Sequence, residues 1–319
     1  MSSGQHTLPR STWLLLACLT LGWGFNWPIM KIALAQMPLW SFRSACVIGG
    51  AAGMFLIAWA GGRRLLPPPA HWGRLAGTSV FNVALWNLCI AYGLTYLPAG
   101  RSVILAYTMP LWVVLLSRLL LDEPLTHRRL AGVALGLIAM GLLIGSELAV
   151  LRAAPVGAAL VLAAALSWAV GTVLIKRCPT DLPTTSFTAW QLLIGGAPIA
   201  IGALVLEQAR WQPIPWPAAF AIVYNIGVAF VFCYWAWYKI VSRTSAGVSA
   251  LGSLMIPVVG VFSSMLLLGE RPSWHEYAAL VLVMAAIATV VIPKKQDVGR
   301  RKRRIRPGPL VLCRRIRRT

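Results

Sequence analysis

Asn82 and Trp86 stand four residues apart, about one helical turn, with Asn87 adjacent and Tyr92 further along. Trp23, Asn26 and Trp27 form a second set of the same kind. Tyr107, the pair Trp168 and Thr172, and the group Asn225, Tyr234, Trp235 and Tyr238 extend the pattern. All of these lie inside long apolar runs. Lipid gives an asparagine amide no hydrogen-bond partner, so some of these amides glue helices together. Aromatic walls with a few amide handles also suit a cavity for a small zwitterion or amphipathic metabolite. The candidate binding set is therefore Trp23, Asn26, Trp27, Asn82, Trp86, Tyr107, Trp168, Thr172, Asn225 and Tyr234.

Charged side chains play a different part. The acids Asp122, Glu123, Glu147, Asp181, Glu207, Glu270, Glu276 and Asp297 all fall at run ends, in connections or in the tail. An intramembrane carboxylate is costly and normally functional, and none sits mid-run, which argues against a carboxylate proton relay. The histidines at 6, 71, 127 and 275 are peripheral. The cysteines form neither a CxxC pair nor a Cys/His cluster, so no disulfide framework or zinc site is legible. No catalytic set, metal site or cofactor site emerges, and the chain is not expected to be an enzyme. Glu123 and Glu270 have two readings. They are gate acids that pair with a basic group in one state, or helix-end acids that meet the N-terminus of the next helix, worth ~0.3–1 kcal/mol; the structural reading is preferred. Arg43 also has two: it pins helix ends together, or it attracts a substrate carboxylate, since a guanidinium needs acceptors around it. Lys31, Lys176 and Lys239 lie near run ends, within snorkelling reach of headgroups. Pro110 and Pro257 each remove a backbone donor and give a helix a flexing point.

The elements that position these residues follow from composition. Hydrophobic residues make up 58% and charged residues 12% of the chain, with mean hydropathy +0.73. A soluble surface needs more charge, so the class is an all-α polytopic membrane protein. A hydrocarbon core of ~30 Å takes about 20 helical residues to cross. Hydropathy then predicts ten spans: roughly 12–34, 39–60, 72–94, 98–120, 127–147, 155–176, 184–206, 215–240, 244–268 and 274–293. The first run reads as a retained helix rather than a cleaved signal. Ser273-x-x-Glu276 spells a capping box, while Gly132-x-x-x-Gly136 and the Ala-rich last span read as bracing surfaces. Basic residues concentrate on one set of run ends, which predicts a multi-pass protein with both termini in the cytoplasm. About half of the +21 net charge sits in a tail over 294–319. The tail reads as a disordered cytoplasmic retention charge, and it lacks the interleaved aromatics of a single-strand nucleic-acid binder.

Two stretches about 147 residues apart repeat one pattern. Gly100, Pro110 and Glu123 recur as Gly247, Pro257 and Glu270, each glycine preceded by alanine, and Trp23 and Lys31 recur as Trp168 and Lys176. The halves are 1–152 and 153–293. Five spans per half is an odd number, so the second copy enters from the opposite side and the repeats are inverted. A seam between inverted repeats makes a midplane site that opens either way, the geometry of alternating access.

Trp23-Gly24-Phe25-Asn26 with Lys31, Arg43, Ala99-Gly100, Pro110 and Asp122-Glu123-Pro124 carry a resemblance. So do Trp168, Lys176, Ala246-Gly247, Pro257 and Gly269-Glu270-Arg271-Pro272. Over about residues 11–293 the chain resembles the drug/metabolite transporter superfamily, in its ten-helix branch with two EamA domains. That resemblance implies export of small metabolites, often amino acids or related compounds, across the bacterial inner membrane. At the position matching Arg43 the second half has Gln191, so a role needing arginine in both halves does not carry over. The expected partners are a small-molecule substrate and the lipid bilayer, without nucleic acid, in a monomer or homodimer. A multidrug exporter of the same superfamily is the alternative, and a membrane receptor or scaffold the alternative outside transport.

Overall fold

Pro38, Pro98, Pro183 and Pro215 each stand one residue ahead of a helix, with φ between −62° and −53°. A proline there fixes the entry angle and forfeits no hydrogen bond, because the first N–H groups of a helix have no partner within it. The computed structural model describes residues 10–121, 127–145, 154–177, 181–237 and 246–291. Among the described residues there is no strand, and ten helical rods follow one another. They are α1 (Arg10–Leu34), α2 (Leu39–Ala60), α3 (Pro69–Tyr96), α4 (Ala99–Leu121) and α5 (His127–Gly145), then α6 (Ala154–Arg177), α7 (Thr184–Leu206), α8 (Trp216–Trp237), α9 (Ala246–Leu268) and α10 (Trp274–Val291). Glu123, Tyr238, Lys239 and the basic tail lie outside the described residues, as does the side chain of Lys176.

Six stretches, in α2, α3, α4, α6, α7 and α8, are both long and apolar enough to cross a membrane. Shorter apolar stretches, Leu130–Ala139, Met255–Leu268 and Trp274–Ala286, lie in α5, α9 and α10. The chain is thus an all-helical, multi-pass membrane protein.

Three rods are interrupted. In α3, residues Val80–Leu85 form a π-helical stretch, and in α8 residues Asn225–Phe232 do the same. In α4 the α-helix stops at Ala106 and restarts at Met109. Pro110 therefore falls in the first turn of a new segment, where its missing N–H costs nothing. Pro257 lies within the uninterrupted α9, so the two matched prolines sit in different local structures. The capping box forms by half: Glu276 Oε2 accepts from the Ser273 N–H at 2.6 Å, while Ser273 Oγ is buried and unpartnered.

Small residues let the rods approach. α2 runs along α7, α5 along α10, α1 along α9, and α4 along α6. Gly24 of α1 meets Val259 of α9, and Gly196 of α7 meets Val47 and Ile48 of α2. Gly195 is the tightest of these against backbone: a Cβ there would lie 2.6 Å from the Ser79 carbonyl oxygen and 2.5 Å from Val83 Cβ. Backbone cannot rotate away as a side-chain tip can. Gly195→Val is expected to destabilise the fold by about 1–3 kcal/mol, the range for overpacking, read as a lower melting temperature of the purified protein. Gly77→Ala meets nothing within 4 Å and, inside a helix, should hold or raise that temperature.

Candidate functional site

Two concavities distinguish themselves. One is a wide apolar groove of about 790 Å³ on the outer face of α1 and α8, lined by residues such as Leu21, Phe25, Trp216 and Phe220. Leu21, Trp216 and Phe220 are all exposed there, as expected of surface turned toward lipid tails. The other, of about 100 Å³, lies within the bundle and is where polar groups converge. It is lined by Trp23, Asn26, Trp27, Met30, Arg43, Trp86, Asn87, Ile90, Tyr107, Met109, Trp168, Ala229, Phe230 and Tyr234. Those residues come from α1, α2, α3, α4, α6 and α8, so both halves of the chain contribute.

Its walls are aromatic. Trp86 and Trp168 lie 4.9 Å apart between ring centroids, tilted by 56°. Trp23 meets Tyr234 edge-on at 5.9 Å, and Phe230 stacks on Tyr234 at the same separation. The π-helical stretches help to seat these rings, because a looser turn leaves carbonyls free to accept from neighbours. Trp23 Nε1 donates to the Ala229 carbonyl in the stretch of α8 at 3.1 Å. Ser167 Oγ, next to Trp168, donates to the Phe81 carbonyl in the stretch of α3 at 2.5 Å. The first rod of each half thus holds the third rod of the other.

Of the sequence-derived set, Trp23, Asn26, Trp27, Trp86, Tyr107, Trp168 and Tyr234 come together around the cavity. Asn82, Thr172 and Asn225 do not line it. Asn82 presses its Oδ1 to 1.8 Å of where a Cβ on Gly171 would be. Thr172 Oγ1 donates back to the Trp168 carbonyl, and Asn225 Nδ2 back to the Ala221 carbonyl. Met30, Asn87, Ile90, Met109, Ala229 and Phe230 are lining residues that periodicity did not single out. Asn87 was adjacent to the right face, while the apolar members carry no sequence signal.

One end of the bundle is fastened by acids that reach across the chain. Gly269, at φ +67°, reverses the backbone after α9 in the left-handed region that suits glycine. Glu270 then accepts from the Ala99 N–H at 2.7 Å and the Gly100 N–H at 3.0 Å. The acid therefore meets the N-terminus of α4, in the other half, rather than that of the next helix. Lys31 Nζ donates to the Leu97 carbonyl beside it. Glu276 pairs with Arg101 Nε at 3.2 Å. Glu207, unremarked in the sequence, does the same for α2: its carboxylate accepts from the Trp40 and Ser41 N–H groups at 3.1 and 2.8 Å and from Ser41 Oγ at 2.8 Å.

Apolar rods around an aromatic cavity, with helix ends latched across the two halves, fit a membrane transporter by class. The family comparison is specific: this chain belongs to the EamA-like transporter family, whose model matches twice, over residues 11–145 and 155–292. A "probable amino-acid metabolite efflux pump" of Salmonella typhimurium strain LT2 is 28% identical over 291 residues, covering 88% of this chain and 94% of that protein. An uncharacterized transporter of Bacillus subtilis strain 168 is 24% identical over 271 residues, covering 84% and 92%. A protein of known crystal structure shares the fold with a TM-score of 0.63 at 21% identity, covering 93% of this chain and all of that one.

Proposed function

We propose that this protein is a secondary carrier of the inner membrane that exports small metabolites, chiefly amino acids or related neutral and zwitterionic compounds. Ten rods cross the bilayer as two inverted five-helix repeats, 1–152 and 153–293, with both termini and the 294–319 tail in the cytoplasm. The cavity between the halves opens alternately to either side. The observation that carries this reading is the central cavity itself, walled by Trp23 and Trp86 from one half and Trp168 and Tyr234 from the other. The packing of α2 on α7 and of α5 on α10, each rod on its own counterpart, supports a pseudo-two-fold relation. So does the matched pair of π-helical stretches in α3 and α8. The printed name of the Salmonella relative supports the cargo class.

Whole-cell efflux of a labelled metabolite panel, with and without the gene, tests the activity. At least one amino acid or related compound is expected to leave cells faster when the protein is present, and no difference across the panel sinks the reading. Topology supplies a second check. Reporters fused at Arg64 and Arg177 are expected to signal cytoplasm, and those at Leu97 and Arg210 periplasm. A cytoplasmic signal at Arg210 would leave the halves parallel and remove the inverted arrangement.

A further inference from the structure

We propose that Arg43 is the carboxylate receptor of the central cavity, so that the cargo is an organic acid or an α-amino acid held by its carboxylate. This rests on the transport reading above and narrows it. Arg43 is only 2% exposed, so it does not snorkel to the headgroups. It lies against the cavity with Met30, Asn87 and Trp86. A guanidinium carries five N–H donors in a planar fork. Here Nε reaches the Asn87 carbonyl at 3.3 Å and Nη1 reaches Met30 Sδ at 3.2 Å, both neutral acceptors. These two bonds occupy two of its three nitrogens. No carboxylate among the described residues lies within ion-pair distance of it: Glu207 and Glu270 are spent on helix N-termini, and Glu276 on Arg101 and Ser273.

Buried charges are paired in stable proteins. A planar fork with free donors facing an otherwise aromatic cavity fits one partner best, a bidentate carboxylate. One turn along α1 from Met30, on the same face, Asn26 lines the same cavity with its Oδ1 buried and unpartnered. That acceptor suits an N–H of the cargo, which an α-ammonium group supplies.

The experiment compares four compounds that share one aliphatic body: L-leucine, 4-methylpentanoate, L-leucinamide and 3-methylbutylamine. Binding to the purified full chain is read from the fluorescence of the cavity tryptophans, with chloride as the inorganic control. The wild-type protein is expected to bind leucine and 4-methylpentanoate in preference to the amide and the amine. Arg43→Gln is expected to weaken both carboxylates about tenfold or more, the scale of a lost charge-assisted hydrogen bond, and to leave the amide unchanged. Arg43→Lys keeps the charge without the fork, so it should weaken the carboxylates yet still prefer them to the amide. Equal binding of acid and amide by the wild type, unchanged carboxylate binding in Arg43→Gln, or competition by chloride at the same concentration overturns the assignment. Where Arg43→Gln does not fold, loss of the preference in Arg43→Lys overturns it instead. Counterflow of leucine in liposomes is read separately: selective binding without counterflow strikes the transport reading and leaves the carboxylate receptor standing.

Discussion

Trp168→Ala is expected to cut transport by about tenfold or more while the protein expresses and melts much like wild type. Trp168 forms the α6 wall of the cavity and meets Trp86 of α3 at 4.9 Å. Truncation removes apolar contact worth ~1–3 kcal/mol to a bound cargo. The fold loses little, because the link between these rods is made next door by Ser167 Oγ on the Phe81 carbonyl. Trp59, 68% exposed on α2 and outside both concavities, is the appropriate comparison, and Trp59→Ala should transport normally. Trp72 serves less well for that purpose because it packs edge-on against Trp190 at 4.8 Å. Normal counterflow by Trp168→Ala, or a loss of transport that tracks a loss of folded protein, would place this residue in packing and remove it from the site.

Glu270→Ala is expected to weaken the closure of one end of the bundle and, with it, to slow turnover. The substitution leaves the N–H groups of Ala99 and Gly100 without their acceptor. Both residues are buried, and orphaned buried donors cost ~1–3 kcal/mol. The change also removes the negative charge nearest to Lys31 and to the positive end of α4. A cysteine placed at Met30, in the cavity lining, reports the opening. With native cysteines removed, its labelling by a membrane-impermeant thiol reagent from the Leu97 side should rise in Glu270→Ala. Glu123 occupies the matching place in the first half and provides the contrast. If both acids are gates, Glu123→Ala should lower that same labelling, because it frees the opposite end. If both only cap helices, each substitution should lower the melting temperature and neither should change labelling from the Leu97 side.

How much of this was legible beforehand varies with the range of the interaction. The rods were legible nearly to the residue. The predicted spans 39–60 and 184–206 coincide with α2 and α7, and the other rods lie on their spans as far as the described residues reach. Apolar runs bounded by prolines and glycines leave the backbone little choice, since every N–H and C=O in lipid needs a partner within its own segment. The family was equally legible, because it rests on residue types at fixed spacing and the two matched segments, 11–145 and 155–292, fall on the repeated pattern. The aromatic part of the cavity was also within reach. Large rings set mid-run among amides have few other uses, and Trp23, Trp86 and Trp168 do line one space.

The sequence by itself determined the helical rods, their apolar character, the duplicated pattern and the stock of aromatic, amide and basic side chains from which a site is built. Tertiary structure decided which of those side chains share the cavity. A 3.6-residue period puts Asn82 and Trp86 on one face, but the π-helical stretch Val80–Leu85 departs from that period, and in the fold Asn82 packs against Gly171 while Trp86 and Asn87 stand at the lining. Local spacing does not announce that departure; carbonyls of the stretch accept from Ser167 Oγ of α6 and from Asn87 Nδ2 of α3 itself. Tertiary structure also turned Arg43 inward and brought Glu207 and Glu270 onto helix N-termini more than 160 residues away in sequence. A charge at the end of a span looks the same on paper whether it meets a headgroup, a substrate or a distant helix. Only the packing of the rods selects its partner, because the selection is made by distance in space and the lack of water there to satisfy the group otherwise.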